Sequence, residues 1–251
     1  MRNILFDFSE SNFVVTGASS GMGREVAVQL SRAGANVLAI ARGQDKLEEL
    51  VKQEERIKAY PCDACDKERL KNGIESFVEN YGKIDGAVHA AGISAITPLR
   101  RFSDDDARRV MDVSFWAGIY LMQVINKKRV SNDHCASVLF SSTSALAAER
   151  SLFAYASSKA ALQTAARVIA KEIASSGRRV NTISPGWVQT AMTQKDIENH
   201  TVSERVLNRH LLGIGTPNKV VGMVLFLLSQ DADWITGENF IVDGGYMLGD
   251  D

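Results

Sequence analysis

The chain has 251 residues, with 29 lysines and arginines against 30 aspartates and glutamates, so its formal net charge at pH 7 is −1. This balance argues against a protein that coats nucleic acid or an anionic membrane, because both kinds of binding need a surplus of basic side chains. The length can bury a full-sized core, and 45% hydrophobic with 24% charged residues is typical of globular proteins.

The cysteines and the apolar runs bear on cellular location. Three cysteines cannot form a disulfide framework, which favours a reducing, cytoplasmic setting. The apolar run at 4–6 is too short for a signal peptide, and the one at 220–228 is far shorter than the roughly 18 residues that span a membrane. Cys62 and Cys65 have the spacing of half a zinc site, but no second pair follows, so we expect no metal.

Short apolar or β-branched runs alternate with longer segments of helical periodicity. We predict strands at 13–15, 36–40, 57–60, 87–89, 137–140, 180–183 and 240–242. We predict helices at 22–33, 44–55, 66–81, 103–113, 115–128, 155–175 and 220–228. This alternation predicts one α/β domain over 1–251, with a doubly wound, seven-stranded parallel sheet and helices on both faces.

Residues 187–216 interrupt the alternation with a polar segment of mixed charge and weak helical periodicity. The segment follows the carboxyl end of a predicted strand, where open α/β sheets bind their ligands. We therefore predict a substrate lid at 187–216. The alternative is a surface helix without a role.

A glycine-rich loop follows the first predicted strand and opens the first helix. Its small residues allow a pyrophosphate to approach the backbone, and the helix N-terminus offers free N–H groups. This is a relative of the Rossmann-type dinucleotide fingerprint, with one residue more between the first two glycines; the alternative is a turn needed only for packing. The predicted phosphate-binding set is Gly17, Ser19, Ser20, Gly21, Met22 and Gly23.

The end of the second strand indicates which dinucleotide binds. Enzymes that use NAD usually place a carboxylate there for the ribose 2′-hydroxyl. This strand instead ends at Arg42, whose guanidinium can pair with a 2′-phosphate. We therefore favour NADP over NAD; the alternative is a solvated loop cation.

Three polar side chains form a candidate catalytic set. Tyr155 and Lys159 stand four residues apart on a predicted helix and so share one face, and Ser142 follows a strand. A neighbouring ammonium lowers the pKa of a phenol, so Tyr155 is expected to exchange a proton with a carbonyl or alcohol, whose oxygen Ser142 can hold. Alone, such a pair would be ordinary surface.

The sequence resembles the short-chain dehydrogenase/reductase family from about residue 12 to 245. The matching pieces are 16–23, Asp63, 90–92, Ser142, 155–159, Asn181, 185–186 and 243–245. The resemblance implies hydride transfer between the nicotinamide and a carbonyl or secondary alcohol. It implies Tyr155 as acid/base, Lys159 as the residue that tunes its pKa, and Ser142 as the carbonyl holder. From its position beside Tyr155, Lys159 could also bind the ribose hydroxyls.

The resemblance also implies further cofactor contacts. Asp63 and Ala64 approach the adenine, and the other expected contacts are Ala90, Ala91, Gly92, Tyr155, Lys159, Pro185, Gly186, Val188 and Thr190. Trp187 is expected either to form an apolar wall for the substrate or to pack on the core at the start of the lid.

Two positions depart from the family pattern. Ser114 stands where the family usually has the asparagine that helps hold a proton-relaying water, and serine has a shorter reach. His89 stands in the usual Asn-Asn-Ala-Gly motif, which here runs through Ala90 to Gly92. We interpret His89 as a packed core residue rather than a catalytic one.

We therefore expect an NADP-dependent carbonyl reductase or alcohol dehydrogenase that acts on a small molecule and assembles as a homotetramer. A 3-oxoacyl-carrier-protein reductase is an alternative. Such enzymes often carry an arginine where Ser176 stands here, although Arg178 or Arg179 could substitute. An alternative of another class is a catalytically weak nucleotide-binding scaffold protein.

Overall fold

The computed structural model describes residues 4–198 and 200–249. Its centre is a seven-stranded sheet in which every neighbouring pair is parallel, in the order β3-β2-β1-β4-β5-β6-β7. The strands are β1 (Asn12–Thr16), β2 (Asn36–Ala41), β3 (Ile57–Pro61), β4 (Ile84–His89), β5 (Ser131–Phe140), β6 (Arg179–Pro185) and β7 (Asn239–Val242). The predicted doubly wound α/β fold is confirmed.

Helices cover both faces of the sheet. They are α1 (Gly21–Arg32), α2 (Gln44–Gln53), α3 (Lys67–Tyr81), α4 (Asp104–Met111), α5 (Ala117–Ile125), α6 (Ser144–Ala147), α7 (Phe153–Ile173), α8 (Gln194–Glu198), α9 (His200–Arg209) and α10 (Pro217–Leu228). Apolar residues of α1, α2 and α10 pack on one face, and those of α3, α5 and α7 pack on the other. No helix in the described part of the chain is long and apolar enough to cross a membrane.

The connections diverge between β1 and β4, which are neighbours in the sheet but not in the chain. A crevice opens at the carboxyl ends of such strands and is where these sheets bind ligands. Gly17 leaves β1 with φ of 73°, and a Cβ there would lie 2.6 Å from the backbone nitrogen of Ala91. The close approach of the two loops therefore requires glycine at this position.

Two predicted helices are one continuous helical stretch. The expected break near residue 114 is a π-helical turn, Asp112–Trp116, that joins α4 directly to α5. In this turn the N–H of Ala117 donates to the carbonyl of Asp112, five residues back. Such turns insert one residue into a helix and often occur at functional sites. Ser114 lies in the middle of this turn.

Strand β5 begins at Ser131, whereas the sequence predicted a strand from 137. The pairing with β4 shifts register between Ile84 and Gly86, and His134 has φ of 65° within the strand. The sequence did not predict this part of the strand because residues 131–134 are polar and lack the apolar pattern of a buried strand. His134 and Cys135 therefore lie inside β5.

The segment 187–216 leaves the sheet after β6 and carries α8 and α9. Its two ends meet in an isolated parallel bridge between Val188 and Gly215. Trp187 N–H donates to His210 Nε2 at 3.1 Å, and the Nδ1 of the same ring lies 2.6 Å from the carbonyl oxygen of Val206. The base of the segment is thus closed by hydrogen bonds while its two helices project from the sheet.

Candidate active site

The glycine loop offers unpaired donors to a phosphate. Ser20 is the N-cap of α1, makes no side-chain hydrogen bond to the helix, and is followed by no acidic residue in the first turn. The N–H groups and the positive end of α1 are therefore free for an anion. The loop lines a groove of about 640 Å³, whose wall includes the predicted residues Gly17, Ser19, Ser20, Gly21, Met22, Gly23, Arg42, Asp63, Ala64, Ala90, Ala91, Gly92 and Thr190.

Two cations lie at one end of this groove. Arg42 follows β2, and Lys46 stands one turn into α2, so both line the same wall. Sequence reasoning missed Lys46, although its place four residues after Arg42 in a helix that starts at Gln44 was a usable signal. The groove thus offers two positive side chains beside the end of β2, where a carboxylate would favour NAD.

The Cys62–Cys65 segment forms another part of the groove. Asp63 Oδ1 accepts the N–H of Cys65 at 2.9 Å, which shapes the turn after β3. Burial and the nearby carboxylate of Asp63 raise the pKa of the Cys65 thiol to about 12. Among the described residues no group of three or more histidine, cysteine or acidic side chains is arranged to hold a metal ion.

Ser142 and Tyr155 line a second cavity, of about 120 Å³. Ser142 follows β5, and its Oγ accepts the N–H of Ser144 at 3.1 Å, so its own proton remains free to donate. This cavity also contains Pro185, Gly186, Trp187 and Val188. Met22, Thr190 and Met192 line both cavities, which therefore adjoin each other.

The pKa of the Tyr155 phenol is shifted in the direction opposite to the one that the sequence predicted. Its pKa is raised above 10.0 by burial, with a smaller upward contribution from Glu149, and the neighbouring Ser142 hydroxyl only partly offsets this. The sequence predicted a pKa lowered by Lys159. That prediction is wrong for this structure because removing the phenol from water disfavours the phenolate more than its surroundings stabilise it.

Lys159 is almost fully buried, with 3% of its surface exposed. Its ammonium donates to the carbonyl of Phe140 at 2.7 Å and lies 5.7 Å from the centre of the Tyr155 ring. Burial lowers the pKa of Lys159 from 10.5 to about 8. The lysine therefore sits beside the ring with an ammonium that is poised near neutral pH.

Ser114 and Lys159 converge on Gly92. A Cβ at Gly92 would lie 3.3 Å from Lys159 Nζ and 3.6 Å from Ser114 Oγ. The Ser114 hydroxyl is fully buried and has no hydrogen-bond partner in the described structure. Buried hydroxyl groups are usually hydrogen-bonded to protein or to ordered water. The unpaired hydroxyl of Ser114 is therefore available to bind a water molecule near Lys159.

His89 is fully buried at the end of β4. Its Nδ1 lies 2.9 Å from Thr16 Oγ1 on the neighbouring strand, while its Nε2 has no partner within the described residues. Burial, with a smaller effect of the Lys159 charge, lowers the pKa of His89 to about 3, which keeps the ring neutral. The side chain packs against α5, where a Cβ at Gly118 would lie 2.9 Å from its Cδ2.

Glu149, a charged residue that lines the second cavity, was not singled out from the sequence. Glu149, in the loop between α6 and α7, accepts a hydrogen bond from Ser144 Oγ at 2.7 Å and another from the hydroxyl of Tyr246. No local pattern marks Glu149, because its partner Tyr246 is 97 residues away in the chain.

The two arginines that could serve in carrier-protein recognition are buried and hydrogen-bonded to backbone carbonyls. Arg178 is 5% exposed and donates to the carbonyls of Ser131 and Asn132. Arg179 is 6% exposed and donates to the carbonyls of Leu227 and Ser229. Neither guanidinium stands free on the surface.

Comparison with known proteins places the fold and these motifs in a family. The family described as enoyl-(acyl carrier protein) reductase matches residues 17–247. The 3-oxoacyl-[acyl-carrier-protein] reductase FabG of Thermotoga maritima is 30% identical over 94% of this chain and 97% of its own. The D-erythrulose reductase of Gallus gallus is 31% identical over 94% and 95%.

A solved structure agrees along nearly the whole chain. It is described as a short-chain dehydrogenase/reductase, glucose/ribitol dehydrogenase, from Brucella melitensis, with a TM-score of 0.92, 27% identity, and coverage of 97% of this chain and 99% of the other. The chain belongs to the short-chain dehydrogenase/reductase family of NAD(P)-dependent oxidoreductases.

Proposed function

We propose that this protein is an NADP-dependent oxidoreductase that transfers hydride between the nicotinamide and a ketone or secondary alcohol. The observation that carries the proposal is the junction of two cavities at Met22, Thr190 and Met192. One cavity has the size and donors for a dinucleotide, and the other contains Ser142 and Tyr155. A substrate carbonyl beside Tyr155 would therefore lie next to the reacting end of the cofactor.

The groove fits a phosphorylated dinucleotide. The free N–H groups of α1 suit the pyrophosphate, and Arg42 and Lys46 suit a 2′-phosphate. In this proposal Asp63 and Ala64 contact the adenine, Ala90 to Gly92 line the middle of the groove, and Pro185, Gly186, Val188 and Thr190 lie at the nicotinamide end. When bound, NADPH supplies the hydride from its nicotinamide ring.

The catalytic roles follow from the hydrogen-bond directions. Ser142 accepts from the Ser144 N–H, so its hydroxyl proton is available to the substrate oxygen. Tyr155 has a raised pKa and is a neutral phenol at neutral pH, the form that gives a proton to a carbonyl oxygen. Lys159, with a pKa of about 8, and the unpaired Ser114 hydroxyl provide a route by which water returns that proton.

We propose that segment 187–216 closes over the substrate. Met192 and Thr193 from this segment already line the cavity, together with Trp187 at its start. The bridge between Val188 and Gly215 would act as the fixed base of a moving lid. In this assignment Trp187 is an apolar wall for the substrate.

Two alternatives are less well supported. A 3-oxoacyl-carrier-protein reductase would need a basic docking group in place of Ser176, and the burial of Arg178 and Arg179 removes the two substitutes. A scaffold protein without activity would not need Ser142, Tyr155 and Lys159 to converge.

We also propose that the chain assembles as a homotetramer. We propose a reducing, cytoplasmic setting for it, which the three free cysteines support.

The proposal is tested by following the hydride. NADPH carrying deuterium at the reacting position of the nicotinamide is incubated with the enzyme and an aryl ketone. We expect deuterium on the carbinol carbon of the alcohol, as measured by mass spectrometry. NADPH that binds but never transfers deuterium to any carbonyl in a broad panel would support the scaffold alternative instead.

A further inference from the structure

The substrate cavity has an unusual charge pattern. Among the described residues that line it, Glu149 is the one charged side chain, and no lysine, arginine or histidine lines it. Lys159 belongs to the catalytic set, but its ammonium is directed at the carbonyl of Phe140. A substrate that enters this cavity therefore meets a carboxylate and no cation.

The Glu149 carboxylate is held in place by two hydroxyl groups. Ser144 Oγ donates to Oε2 at 2.7 Å, and the Tyr246 hydroxyl donates to Oε1. Each carboxylate oxygen has two acceptor positions, so each keeps one for another donor. Glu149 lines the same cavity of about 120 Å³ as Ser142 and Tyr155, so its carboxylate faces the space in which the reacting carbonyl would lie.

One cation of segment 187–216, Arg209, lies against the ring of Tyr246. The guanidinium of Arg209 is 4.4 Å from the centre of the Tyr246 ring, and its Nη1 is 3.4 Å from the hydroxyl. His210 packs against the same ring with 4.7 Å between ring centres. Arg209 does not line the cavity, and the Tyr246 hydroxyl lies between its guanidinium and Glu149.

We propose that Glu149 determines substrate specificity: it selects neutral α-hydroxy ketones, and the corresponding diols, and rejects substrates with an anionic group beside the carbonyl. A hydroxyl next to the carbonyl can donate to a free lone pair of Glu149 while Ser142 and Tyr155 hold the carbonyl oxygen. A substrate carboxylate at the same place would face the half-buried carboxylate of Glu149, and the like charges would repel each other. This inference rests on the proposed oxidoreductase function.

The test compares three ketones that differ in one group: 2-hydroxyacetophenone (hydroxymethyl), propiophenone (ethyl) and phenylglyoxylate (carboxylate). A second, smaller set consists of hydroxyacetone, butanone and pyruvate. The values of kcat/KM with NADPH are measured for the wild type, Glu149→Gln and Tyr246→Phe. Glu149→Gln keeps the size and one acceptor but removes the charge, and Tyr246→Phe loosens the support of Glu149 while leaving its charge.

We expect the wild type to prefer the hydroxy ketone to both analogues, and Glu149→Gln to reduce the hydroxy-ketone-to-oxoacid ratio about tenfold or more. Tyr246→Phe should lower all rates with a smaller change in that ratio. An unchanged ratio in Glu149→Gln, or an equal change in both variants, would overturn the inference while leaving the oxidoreductase function intact. No turnover of any ketone by the wild type would instead reject the proposed function and this inference with it.

Discussion

Tyr155 and Lys159 stand one turn apart on α7, and the ammonium of Lys159 lies 5.7 Å from the centre of the Tyr155 ring while it donates to the carbonyl of Phe140. In this arrangement burial dominates both groups: the pKa of Tyr155 is raised, and the pKa of Lys159 is lowered to about 8. The pair therefore combines a neutral phenol with an amine that titrates near neutrality, which suits proton donation to a carbonyl oxygen.

The buried lysine should make stability depend on pH. Its pKa falls from 10.5 to about 8 on folding, so between these values the folded state binds fewer protons than the unfolded state. As the pH rises through this window, this group should increase the free energy of unfolding of the wild type by about 3 kcal/mol. Below pH 8 the ammonium is charged in both states, so the folded state bears the full cost of burying it. The Lys159→Met variant lacks this dependence.

Urea unfolding from pH 7 to pH 10 measures the effect. The stability of Lys159→Met relative to wild type should fall steadily as the pH rises above 8. Lys171→Met, at an exposed position on the same helix, is the matched control and should parallel the wild type. Parallel curves for Lys159→Met and wild type would show that the lysine is not desolvated as described.

Cofactor selectivity should depend on Arg42 and Lys46. Arg42→Ser and Lys46→Ala each remove a cation from the groove, so kcat/KM for NADPH should fall about tenfold or more in the arginine variant and less in the lysine variant. The values for NADH should change little, because NADH lacks the 2′-phosphate. Lys52→Ala, in the last turn of α2, is the control. Equal losses with both cofactors would assign these residues a structural role.

Substitutions of Ser114 test the proposed proton route beside the π-helical turn. Ser114→Ala removes a hydroxyl that has no partner in the described structure, so its stability should stay within about 0.5 kcal/mol of wild type while kcat falls about tenfold. Ser114→Asn should remain within about tenfold of the wild-type kcat. If Ser114→Asn were faster by orders of magnitude, the native relay would be broken, contrary to the proposed mechanism.

Much of the fold was predictable because its signals are local. Buried parallel strands are apolar along their length, and the spacing of Gly17, Gly21 and Gly23 marks the turn into α1. The π-helical turn was not predictable. No residue pattern in Asp112–Trp116 distinguishes a turn whose hydrogen bond spans five residues from an α-helical turn, in which it spans four.

The site was predictable where its residues are near each other in sequence. Tyr155 and Lys159 share one helix face, whereas Glu149 and Tyr246 meet only in the folded chain. The pKa of Tyr155 was predicted in the wrong direction, since burial is a property of the tertiary structure.

The homotetramer stays a prediction from the family resemblance, and exposed apolar side chains in two regions support it. Trp116, Phe153 and Val168 are 44%, 38% and 53% exposed near α5 and α7, and Trp234 and Leu248 are 96% and 80% exposed near β7. Where exposed large apolar side chains form a contiguous surface, they mark protein contacts. Light scattering should give four times the chain mass of 27.4 kDa, and Val168→Glu should reduce that mass. A wild-type mass of one chain would refute the tetramer.

NADPH oxidation by the Tyr155→Phe variant tests whether Tyr155 gives a proton to a carbonyl while NADPH lies in the adjoining groove. We expect the wild type to oxidise NADPH with 2-hydroxyacetophenone, and Tyr155→Phe to lose about 1,000-fold or more in kcat while it binds NADPH as tightly as wild type. Tyr81→Phe, at an exposed position on α3, should behave as wild type. A Tyr155→Phe variant that reduces the ketone at the wild-type rate would show that Tyr155 is not the proton donor.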